Sequence, residues 1–134
     1  MKELASFKSE FSSHQFIATV FLKDKGLIID ITGPNDHLGG VGIGIPYIRK
    51  NGAESANQHC FSFPAHRDGE LAGSIAQIIS KITRTQTVVL LGMHFPEITE
   101  TQLKKLINFM KNWSADVGQR IVTEISSNLN IQAK

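Results

Sequence analysis

From Phe16 the chain alternates, with Phe16, Ala18, Val20 and Leu22 on one side and Ile17, Thr19 and Phe21 on the other. A period of two predicts a strand. Lys23-Asp24-Lys25-Gly26 supplies a tight turn, and Leu27 to Thr32 reads as the returning strand of a hairpin. Gly33-Pro34-Asn35-Asp36 then breaks the pattern. Glycines at 40, 42 and 44 alternate with Val41, Ile43 and Ile45, giving a third strand with one packed face and one bare face. Residues 50–58 read as a polar connection and residues 59–63 as a short fourth strand. A helix opens at His66-Arg67-Asp68-Gly69-Glu70, with Leu71, Ile75, Ile78, Ile79 and Ile82 on one stripe. Thr87 to Leu91 is short, apolar and β-branched, as in a central strand buried on both faces.

Thr99 and Gln102 form a capping box ahead of a second helix, whose buried stripe is Leu103, Leu106, Ile107, Met110 and Trp113. Val117, Ile121 and Ile125 mark a further helical segment, while residues 1–13 read as a polar lead-in. The expected order is β-β-β-(β)-α-β-α. That is an α+β fold, a mostly antiparallel or mixed sheet with two to three helices packed on it as a two-layer sandwich.

Length and charge narrow the function classes. At 134 residues the chain suits one domain, residues 1–134, with its own core. A net charge of +2 lacks the clustered basic face that nucleic acid requires. No apolar run reaches the roughly 20 residues needed to span a bilayer. A single cysteine, Cys60, excludes an internal disulfide and reads as a small core residue. With no apolar segment near Met1, the expected location is the cytoplasm.

Three histidines sit where rigid scaffolds carry function: His37 before the glycine strand, His66 before the first helix and His94 after the buried strand. Imidazole binds metal, donates to phosphate and moves protons near neutral pH. Taken singly, each also reads as a solvated loop residue, and His14 reads as a surface residue. There is no H-E-x-x-H or C-x-x-C zinc signature. The glycine strand admits close approach of a helix, a partner strand or a planar ligand. The helix start offers free N–H groups to phosphate beside Arg67 and His66, or is simply capped by Asp68 and Glu70.

Three segments together resemble a known family. They are Gly33-Pro34-Asn35-Asp36-His37-Leu38-Gly39-Gly40-Val41-Gly42-Ile43-Gly44-Ile45-Pro46, His66-Arg67-Asp68-Gly69-Glu70-Leu71-Ala72, and Gly92-Met93-His94-Phe95-Pro96-Glu97-Ile98-Thr99. In order and spacing they are similar to the LpdD-like prenylated-flavin chaperones, small proteins associated with UbiD-type decarboxylases such as gallate decarboxylase. The resemblance spans roughly residues 14–112. It implies a non-catalytic protein that handles prenylated FMN or FMN and assists a UbiD-type decarboxylase. The candidate cofactor-binding residues it marks are His37, Gly39, Gly40, His66, Arg67, Glu70 and His94. Phe95-Pro96 departs from the pattern, which has a polar residue after the third histidine.

Two other readings stand beside this one. A small metal-dependent enzyme would hold a divalent metal on His37, His66 and His94, with Glu70 or Glu97 as base. A plain interaction module would use the bare glycine face between subunits, and a homo-oligomer is expected on either non-enzymatic reading.

Overall fold

The computed structural model describes residues 1–63, 68–95 and 97–133, with side chains up to residue 127. The elements run β1 (Lys2–Phe11), β2 (His14–Lys23), β3 (Gly26–Thr32), β4 (Gly40–Ile48), β5 (Glu54–Ser62), α1 (Asp68–Thr83), β6 (Thr87–Gly92) and α2 (Glu100–Ala133). The sheet has six strands in the order β1-β2-β3-β6-β4-β5. β3 and β6 pair in parallel and every other pair is antiparallel. The fold is α+β, an open mixed sheet with two helices.

Each element follows from its local sequence. Ser12 and Ser13 both take positive φ in the two-residue turn between β1 and β2, the geometry whose twist matches a hairpin. β6 inserts between β3 and β4, so its Thr87-to-Leu91 run is central as expected, but it is buried on one face and not on both: Thr87, Val89 and Leu91 point inward, while Val88 and Leu90 are partly exposed on the uncovered face. The inner face carries Phe16, Ala18 and Val20 from β2, Leu27, Ile29 and Ile31 from β3, and Val89 and Leu91 from β6. α1 packs there through Ala72, Ile75, Ala76 and Ile79, and α2 through Leu106, Met110, Trp113, Val117 and Ile121.

The glycine strand is resolved in favour of helix packing. Gly40, Gly42 and Gly44 are buried under α1, and a Cβ on any of them would run into α1 backbone at Asp68–Gly69, Ala72–Gly73 or Ala76. The bare face is therefore filled by a helix, and is neither a ligand platform nor a subunit contact.

Several expectations need correction. Residues 2–11 form an edge strand, where Phe7 and Phe11 tuck inward while Ser6, Lys8 and Glu10 stay exposed. Half the strand is polar because only one face is covered. β5 begins at Glu54, inside the expected connection. The second and third helical segments are one helix, α2. Cys60 is exposed, because β5 is the far edge strand.

The outer face of the sheet is covered by no described element. It presents Ile17, Phe21, Ile28, Val88, Leu90, Val41, Ile43 and Ile45, all partly or largely exposed.

Candidate functional site

The C-terminal ends of β3 and β6, the start of β4 and the start of α1 meet at one end of the sheet. Residues 33–39 fold back across the end of β6 through three backbone bonds: Gly33 N–H to Gly92 O (3.1 Å), Gly39 N–H to Leu91 O (3.0 Å) and His94 N–H to Pro34 O (3.0 Å). Phe63 N–H closes the next edge on Gly39 O at 3.0 Å. Two glycines make this closure possible. A Cβ on Gly92 would strike the His37 carbonyl, and one on Gly39 would lie 2.9 Å from His37 Nε2 and 2.7 Å from Asp68 Cγ.

Asn35 turns the loop through a positive φ of 53°, which asparagine tolerates. Its carbonyl accepts a 2.8 Å bond from His37 Nδ1. That bond aims Nε2 at Asp68 Oδ2, 3.4 Å away on the first residue of α1. At 3.4 Å the two atoms lie within ion-pair distance of one another. Both side chains are about four-fifths covered (23% and 22% exposed), so the contact is sheltered.

Beside this contact lies a cleft of about 460 Å³. Leu71 and Ser74 of α1 form one wall, Leu103, Leu106, Ile107 and Lys111 of α2 the other, and Leu91, Met93 and Phe95 the floor. Asp68 and Glu70 stand at the α1 rim, Lys111 at the α2 rim and exposed His94 at the sheet end. The cleft is thus an apolar trough with acidic groups on one margin and a cation on the other. A smaller pocket of about 190 Å³ adjoins it behind Phe95, lined by Phe11, Ser12, His14, Glu97, Ile98 and Gln102.

Phe95 separates the two. It is 7% exposed and packs edge-on against Phe11, with ring centroids 5.8 Å apart, and against the His14 ring at 5.5 Å. The departure at Phe95 is thus a structural wall. His14 bonds through Nδ1 to Ser12 O at 2.8 Å and stands at the margin of the smaller pocket. No local pattern around His14 signals this, because the β1–β2 hairpin reaches the site only through the sheet.

Of the expected residues, His37, Gly39, Glu70 and His94 lie at this end of the sheet, and Gly40 lies beneath the start of α1. His66 and Arg67 fall outside the described residues. Among the described residues no three His, Cys, Asp or Glu side chains are grouped closely enough to hold a metal ion. Nor is any described helix long and apolar enough to cross a membrane.

The comparison that decides the family covers most of the chain: the prenylated flavin chaperone LpdD-like domain matches residues 11–122. The chain belongs to the LpdD-like family. The matched span takes in every strand of the site and the cleft-lining part of α2 in this LpdD-like chain. No curated protein sequence matches it. Among solved structures it is similar to a chain from a chaperone complex for yeast 20S proteasome assembly, with a TM-score of 0.57 and 17% identity over 90% of this chain and 97% of that one. At that identity the likeness is one of fold.

Proposed function

We propose that this protein binds prenylated FMN, or FMN, in the cleft between α1 and α2 and passes it to a UbiD-type decarboxylase without itself catalysing a reaction. The observation that carries the reading is the cleft, an apolar trough of about 460 Å³ in a chain of the LpdD-like family. Ligand sites of about 300–1,000 Å³ with mainly apolar walls and a few placed polar groups suit cofactor-sized molecules. Leu71, Leu103, Leu106 and Ile107 offer an apolar surface to a flavin ring and its prenyl addition. Lys111 and His94 supply the donors a phosphate requires, and Asp68 and Glu70 repel it from the α1 rim. His37 stands behind Asp68, 3.4 Å from its carboxylate and outside the cleft lining.

Titration of the purified protein with FMN and with prenylated FMN, followed by flavin fluorescence, tests the reading. Saturable binding is expected, weakened roughly tenfold or more by Ile107→Glu, which sets a like charge on the apolar wall. No binding of either flavin at high micromolar concentration overturns it. Activation of a separately purified UbiD-type enzyme by flavin-loaded protein, compared with free cofactor, tests delivery.

A further inference from the structure

The uncovered outer face of the sheet has the anatomy of a subunit interface. Its middle strands present Ile17 and Phe21 from β2, Ile28 from β3, Val88 and Leu90 from β6, and Val41 and Ile43 from β4. Cross-strand register aligns them in rows. One row is Phe21–Ile28–Val88–Ile43, and the next contains Leu90, Val41 and the 67%-exposed Phe61. Polar groups stand at the margins: Ser6, Lys8 and Glu10 on β1, and Asn57 and His59 on β5. Asp30 is the charged residue within the rows, beside Leu90. An apolar centre within a polar rim distinguishes an interface from ordinary surface.

We propose that this face pairs with the same face of a second copy of the chain, sheet against sheet, about a two-fold axis. Size supports a copy as the occupant. Six strands about 4.8 Å apart and about seven residues long at about 3.3 Å each give roughly 600 Å² of projected area. With side-chain relief added, that approaches the roughly 800 Å² per partner of a stable interface. The face's four middle strands, which carry most of its apolar side chains, make up roughly 400 Å² of the projected area, the size of the largest apolar patch on a typical monomer, which is often functional. Both pockets described above lie at the sheet end near α2, away from this face. A two-fold pairing makes one apolar patch complementary to itself, and the lone Asp30 of each copy need not oppose its counterpart.

Sedimentation velocity on the full chain, from low to high micromolar concentration, is the test. The expected species has the mass of two chains. Phe61→Glu alters an exposed side chain on an edge strand, so the fold survives, and it should weaken the dimer roughly tenfold or more. Leu90→Lys, at the centre, should give a monomer; circular dichroism verifies that it remains folded. Gln119→Lys, on the exposed side of α2, should leave the dimer unchanged. A wild-type monomer at every concentration overturns the proposal, even if it gains mass with a decarboxylase. A dimer that survives both Phe61→Glu and Leu90→Lys overturns it as well.

Discussion

Single residues decide how closely this chain can fold on itself. At Gly42 the α1 backbone lies where a side chain would begin, and backbone cannot step aside as a flexible side chain can. Gly42→Ala should therefore cost about 1–3 kcal/mol or more, by overpacking; the denaturant midpoint measures it. Asp30 shows the opposite kind of strain. Partial burial, and then the Asp36 charge, raise its pKa above the ordinary 3.8. A raised carboxylate favours the folded state when protonated, and that stability is lost as pH rises from about 3.8 through the folded value. Asp30→Asn should accordingly raise Tm at neutral pH, with the gain shrinking towards zero as pH falls below that window. A neutral-pH Tm unchanged or lowered in the variant contradicts the assignment.

At the scale of elements, the N-terminal cap of α2 and its seat on β1 set its orientation. Thr99 and Gln102 exchange the two bonds of a capping box, Thr99 N–H to Gln102 Oε1 (3.0 Å) and Gln102 N–H to Thr99 Oγ1 (3.1 Å). Thr99→Ala should cost about 1 kcal/mol, read as a lower thermal midpoint. Farther along, buried Trp113 donates through Nε1 to Ser9 Oγ at 2.9 Å, joining α2 to the edge strand. Ser9→Ala leaves that donor without its acceptor and should cost about 1–3 kcal/mol. The capping box was legible in the sequence because its two residues are three apart. The Trp113–Ser9 bond was not, because its partners are 104 residues apart. The same contrast governs the strands: β2, β3 and β6 declare themselves through apolar runs, whereas β1 and β5 are edges whose polar residues resemble loop. At the site, sequence placed His37 and His94 in the right loops. It could not show that a glycine at 92 lets the loop carrying His37 cross the end of β6, nor that Phe95 and His14 would meet.

For the whole molecule, the two proposals fall on opposite faces of the sheet. The cleft lies on the helical side and the proposed pairing surface on the other. Flavin affinity should therefore be the same in Phe61→Glu as in the wild type, and a parallel loss of both would show that the two faces are coupled.

The glycine row beneath α1 also has a mechanical meaning. With no β4 side chains at Gly40, Gly42 and Gly44, α1 sits backbone against backbone on that strand, a contact that side-chain repacking cannot loosen. α2 rests on long, repackable side chains such as Leu106 and Met110. Any widening of the trough to admit a bulky guest is therefore expected on the α2 side, where side chains form the contact, and not on the α1 side, where backbone does.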